Sequence, residues 1–205
     1  LVGSEMCIRD SLKGEPIETI YLGGGTPSQL AKEDFEAIFS HIYKVYKVTP
    51  NAEITLEANP DDLTSEYISM LRTFPFNRIS MGIQTFQETT LKQLQRRHTA
   101  DQAIRAFQGC RTAGFQNISI DLMYGLPGET LTSWKKDLKQ ALSLHPEHIS
   151  AYHLIYEEGT PLWKLREQHK VEEADEDLSV SLFGTLIDEL TTCLLYTSPS
   201  PRDCS

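Results

Sequence analysis

The stretch ETIYLGGGTPSQL, residues 18–30, runs a short apolar strand into three glycines, Thr26 and Pro27. β-Branched and aromatic residues bounded by glycine read as a strand that ends in a tight loop. Four further runs share the strand pattern: AEITLEA from Ala52, NRISMGI from Asn77, NISIDLMY from Asn117 and HISAYHLIY from His148. Their centres lie about 25 to 40 residues apart, the length of one β-α repeat. Amphipathic segments fill the intervals. Phe35, Ile38, Phe39, Ile42, Tyr43 and Tyr46 form one helical stripe, and Thr64 caps a second helix carrying Tyr67, Met70 and Leu71. A third runs from Thr99 to Gly114 and buries Ile104 and Phe107; a fourth uses Leu131, Trp134, Leu138 and Leu142 and stops before Pro146. Leu182, Phe183, Leu186, Ile187 and Leu190 mark the last. Repeated strand-helix units demand a parallel sheet covered by helices, either a barrel or an open doubly wound sheet. Periodicity alone does not choose between them.

The 205 residues suffice for one domain, and the formal charge of −10 offers no basic surface to a nucleic acid. No apolar run reaches the roughly 20 residues that span a bilayer, so the expectation is a cytoplasmic protein without a membrane span. The two ends read differently from the rest. One DNA string can encode LVGSEMCIRD, residues 1–10, and its near reverse complement can encode CLLYTSPSPRD, residues 193–203. That string resembles a transposase adapter used in sequencing libraries. Residues 1–11 and 193–205 are therefore expected to be adapter-derived, leaving 12–192 as a fragment of a longer protein. Cys7, Cys193 and Cys204 fall in or beside these ends. Cys110 is then the native cysteine, and it reads as a buried core thiol.

In both candidate architectures a ligand sits at the carboxyl ends of the strands, where the unusual residues of this chain collect. Gly23 to Pro27 follow the first strand, Glu57, Asn59 and Pro60 the second, and Gln84 and Phe86 the third. Asp121, Tyr124 and Gly125 belong to the fourth, and His153, Glu157 and Glu158 to the fifth. Each has a plain alternative. Glycines make turns, Gln84 can bond neighbouring strand ends, and Arg96 and Arg97 can compensate a helix C-terminus at the surface. Glu57 and Asp121 are harder to set aside, because a carboxylate in an apolar run costs several kcal/mol unless it is paired or hydrogen-bonded. The histidines have no zinc-ligand spacing.

In the order TIYLGGGTPSQL, AEITLEANPDDL, NRISMGIQTFQETTLKQLQRRH and SIDLMYGLPGET, the chain resembles the radical S-adenosylmethionine (SAM) enzymes. More narrowly it is similar to the family of oxygen-independent coproporphyrinogen III oxidases and their HemW-type heme-chaperone relatives. IQTF and YEEGTPL favour the chaperone branch. The resemblance covers nearly all of residues 18–166 and implies an α/β fold, a partial (β/α)6 TIM-like barrel without its first strand and cluster loop. It also implies S-adenosylmethionine and a [4Fe-4S] cluster as cofactors of the intact protein, heme or porphyrin as cargo, and heme-acceptor proteins as partners.

Position by position, the resemblance places Gly24, Gly25 and Thr26 at the methionine part of S-adenosylmethionine. Glu57, Gln84, Arg96 and Asp121 match further cofactor contacts, and Ile155 an uncharged pocket wall. The family's three-cysteine cluster motif is absent from this sequence, so the chain as given is expected neither to assemble the cluster nor to catalyse radical chemistry. Two other readings stay open: the decarboxylating oxidase, and an ordinary barrel with a phosphorylated or sugar ligand.

Overall fold

The computed structural model describes residues 14–192, so the segments read as adapter-derived lie outside the described residues. Five strands, β1 (Ile17–Leu22), β2 (Val48–Ala58), β3 (Arg78–Gln84), β4 (Asn117–Tyr124) and β5 (His148–His153), form one sheet in the order β1-β2-β3-β4-β5. Every pairing is parallel. The helices are α1 (Lys32–Val45), α2 (Ser65–Leu71), α3 (Glu88–Gln93), α4 (Ala100–Thr112), α5 (Leu131–Ser143), α6 (Pro161–Glu167) and α7 (Glu176–Thr192). Short 3-10 turns at Pro27–Gln29 and Pro60–Asp62 follow the first two strands.

Strand order decides between the two architectures. A doubly wound sheet reverses its order at a switch point and carries helices on both faces. Here the order never reverses, and the sheet curls into a half-barrel like part of a TIM-type barrel. Alternation along the strands divides the two faces. Ile54, Leu56, Ile79, Met81, Ile83, Ile118, Ile120, Leu122 and Ile149 face the helices and are buried with Phe35, Phe39, Phe107 and Trp134. The opposite register positions, Glu53, Thr55, Glu57, Arg78, Ser80, Asn117, Ser119, Asp121, His148 and Ser150, belong to the concave face. A filled TIM barrel has branched apolar residues there; this one has polar groups.

The caps agree with the sequence. Thr64 Oγ1 accepts from the Tyr67 amide, Thr99 and Gln102 form a reciprocal capping box, and Gly114 turns the chain at φ 96°. Cys110 is fully buried, and burial raises its thiol to about 12. Two strand boundaries differ from expectation. β2 begins at Val48 rather than Ala52, because Val48 already pairs with Ile17; the register then shifts before Thr19 meets Glu53, across a stretch that holds Pro50, which has no amide to donate. β5 ends at His153 rather than Tyr156, because its partner ends too: Tyr124 pairs with His153, and Gly125 then leaves the strand at φ 73°. Ile104 is half-buried rather than buried, and Tyr46 caps α1 instead of lying within it.

Candidate functional site

At the carboxyl ends of β1 and β2 the glycine loop meets a single carboxylate. Glu57 Oε1 accepts from the Tyr21 hydroxyl at 2.6 Å, and Oε2 accepts from the Gly24 amide at 2.9 Å. Gly24 and Gly25 have φ of 81° and 62°, a region that favours glycine, and a Cβ on either would meet nothing within 4 Å. Their main chain is therefore open to a ligand. Gly23 is constrained differently: a Cβ there would lie 2.4 Å from Tyr21 Cε1 and 2.8 Å from Glu57 Cδ. Thr26 heads the Pro27–Gln29 turn without a side-chain cap bond. Ser28, buried behind the loop, accepts from the Asn59 amide and donates to Asp62 at 2.6 Å, tying the loop to the turn after β2.

The end of β3 supplies the second group. Gln84 sits at φ 70°, where the register with β4 slips between Gly82 and Gln84. A Cβ on Gly82 would lie 3.1 Å from Gln84 Nε2 and 3.5 Å from Arg96 Nη2, so these two side chains converge over Gly82. Arg96 does not compensate a helix end at the surface. α3 closes at Gln93 in a Schellman turn: Gln95 takes φ 54°, its amide bonds Lys92 O, and the Arg96 amide reaches back to Leu91 O. The reversal sends the half-buried Arg96 toward the strand ends, where Nη2 donates to Asn59 Oδ1 at 2.7 Å and Gly82 O at 2.9 Å. Its Nε and Nη1 have no protein partner among the described residues. Burial lowers the Arg96 pKa, an effect opposed by Asp61.

Asp121 lies on the concave face of β4, opposite Ser150 of β5. Ser80 Oγ reaches its two oxygens at 3.2 and 3.1 Å. Burial raises the Asp121 pKa, the serine hydroxyls oppose this, and the Glu57 charge adds to it. Glu57, Gln84, Arg96 and Asp121 thus gather with the glycine loop at the rim and upper concave face. Ile155 stands apart in the loop after β5, 73% exposed. His153, grouped with the rim residues by sequence, points the other way, onto Gly125, the Tyr124 ring and Ser179.

Three contributors escaped the sequence reading. Tyr21 and Ser80 looked like ordinary strand residues. Asp137 of α5 is fully buried and accepts from Thr85 Oγ1, the Phe86 amide and Gln87 Nε2, so one helix carboxylate holds the loop after β3. Its place between Trp134 and Leu138, on the apolar stripe, was the available signal.

Glu129 holds the loop after β4 in the same way, accepting from the Gly125 and Leu126 amides at 2.7 and 3.3 Å. Burial raises its carboxyl from 4.5 to about 7, against the opposing pull of the two amides. The native state then binds this proton more tightly than the unfolded chain. Its contribution is full below pH 4.5 and is lost as pH rises to about 7, by at most ~3 kcal/mol. Urea midpoints measured across that window should fall less steeply for Glu129→Gln than for the parent.

The sequence model of the Radical SAM superfamily matches residues 8–141. The chain belongs to that superfamily. Its curated relatives include heme chaperones HemW: it is 35% identical over 179 residues to that of Bacillus subtilis (86% of this chain, 47% of that protein). It is 37% identical over 180 residues to that of Lactococcus lactis (88% and 48%). The chain therefore spans about half the length of the curated relatives it matches. Among solved structures, coproporphyrinogen III oxidase (HemN) from Escherichia coli, a radical SAM enzyme, superposes with a TM-score of 0.76 at 26% identity, covering 92% of this chain and 43% of that one. Elp3 of Methanocaldococcus infernus, at TM-score 0.73 and 18% identity, shares the fold, covering 89% of this chain and 47% of that one. The superfamily match sets aside the ordinary sugar or phosphate barrel. Among the described residues no helix is long and apolar enough to cross a membrane.

Proposed function

We propose that the rim binds S-adenosylmethionine, and that the intact protein is a heme chaperone of the HemW kind that passes heme to acceptor proteins. The observation that carries the cofactor reading is the sorting of donors and acceptors over three adjacent strand ends. An amino-acid group needs acceptors for its ammonium and donors for its carboxylate. Glu57 offers the first. The Arg96 Nε and Nη1 donors, with the Gln84 amide, offer the second as separate charge-assisted contacts, since both Nη2 hydrogens already go to Asn59 Oδ1 and Gly82 O. Gly24, Gly25 and Thr26 present main chain to the same group. Asp121 offers acceptors to ribose hydroxyls; Ile155, exposed in the loop after β5, is not part of this cluster. When bound, S-adenosylmethionine supplies a sulfonium that a [4Fe-4S] cluster can cleave reductively.

The described residues do not fit the cluster itself. Cys110 is fully buried in α4, and no group of His, Cys, Asp or Glu among them is placed to hold a metal ion. Cluster ligation is therefore not assigned to any of the described residues.

Glu57→Ala in intact, cluster-loaded protein should weaken S-adenosylmethionine binding about tenfold to a hundredfold in calorimetric titration, with thermal unfolding within a few degrees of the parent. Unchanged affinity removes Glu57 from the site. The oxidase reading keeps a place because HemN superposes well. Stable heme binding without turnover of coproporphyrinogen III supports the chaperone; turnover supports the oxidase.

A further inference from the structure

The glycine loop is held by a carboxylate that is itself held. β1 sets Tyr21 level with Thr55 of β2, so the tyrosine ring reaches Glu57, two residues nearer the rim. The phenol takes one oxygen of Glu57 and leaves the other to the Gly24 amide. A carboxylate turns readily about its terminal torsion, which has broad wells. The phenol bond removes that freedom, and at 2.6 Å it has the length of a charge-assisted contact. Gly23 conforms to the same pair, since the ring and the carboxylate occupy the space a side chain there would need. Burial, and then Glu57 itself, raise the phenol pKa, so the donor stays protonated through the working pH range. A carboxylate has about four acceptor positions. Two are used here, and two remain for an incoming ligand.

We infer that Tyr21 is a positioning residue of the cofactor loop: by clamping Glu57 Oε1 it fixes the contact between Oε2 and Gly24, and so sets the shape in which Gly24, Gly25 and Thr26 meet the amino-acid end of S-adenosylmethionine. This rests on the reading of that loop as the cofactor dock. The gain is preorganisation, because a loop already ordered costs less to bind to.

Tyr21→Phe keeps the ring and removes only the hydroxyl, and Tyr21 is 57% exposed, so the fold tolerates the change. Two measurements test the clamp. In the ligand-free chain the Gly24 amide proton, drawn downfield by its carboxylate partner, should move upfield in both Tyr21→Phe and Glu57→Ala. An unmoved resonance in Tyr21→Phe overturns the inference whatever the loop binds. In intact, cluster-loaded protein Tyr21→Phe should weaken S-adenosylmethionine binding about tenfold. The double variant should bind no more weakly than Glu57→Ala alone, because both changes break one chain of contacts. Additive losses, or a loss in Glu57→Ala with none in Tyr21→Phe, overturn the clamp and leave the cofactor reading standing. Unchanged affinity in both overturns the cofactor reading and the inference with it.

Discussion

Asp137→Ala is expected to cost the fold about 4 kcal/mol, read as a lower urea midpoint with an unchanged slope. The carboxylate is fully buried, and its removal strands three donors at once: the Thr85 hydroxyl, the Phe86 amide and the Gln87 side-chain amide. Thr85 is itself fully buried, so water does not reach its hydroxyl without opening the contact between α5 and the loop. Thr85 also accepts from the Gln87 amide, so losing its own acceptor loosens a second bond. Asp137→Asn should fall between parent and Ala, since the amide oxygen replaces part of the acceptor set while the NH2 faces donors. Gln84 lies directly before this loop at φ 70°, a conformation that persists only while its surroundings enforce it. Cofactor affinity should therefore fall along with stability.

Gly23→Ala should show the opposite balance, with at least a tenfold loss of S-adenosylmethionine affinity for only a few degrees of melting temperature. The added methyl would sit 2.4 Å from Tyr21 Cε1 and 2.8 Å from Glu57 Cδ. The tyrosine ring can swing toward solvent, so the fold absorbs the clash. In doing so it abandons Glu57, and the carboxylate must also shift from Gly24. Gly25→Ala makes a useful contrast. Open space surrounds it, but its φ of 62° costs an alanine about 1 kcal/mol. Titration calorimetry and differential scanning on the pair separate steric from conformational need for glycine.

Much of the architecture was legible because alternation and helical stripes are local. Ile79, Met81 and Ile83, or Trp134 and Leu138, announce their buried faces by spacing alone. The rim was legible for a related reason: Glu57 and Asp121 violate an apolar pattern, and such violations need partners. Arg96 was less transparent. Its chemistry suited either a helix end or a ligand contact, and the Schellman turn at Gln95, formed from backbone bonds, directs it to the strand ends, where it bonds Asn59 and Gly82. Tyr21, Ser80 and Asp137 could not be ranked beforehand, because their importance lies in partners 36, 41 and 52 residues away.

By itself the sequence determined the repeated strand-helix units, the faces that seek burial and the strand ends that gather polar groups and glycine, since each follows from neighbours a few residues apart. The tertiary structure decided the unreversed strand order that makes a half-barrel, the polar concave face and the clamp of Tyr21, Glu57 and Gly24. These depend on which strands lie side by side and in what register, and only long-range pairing of the chain sets that.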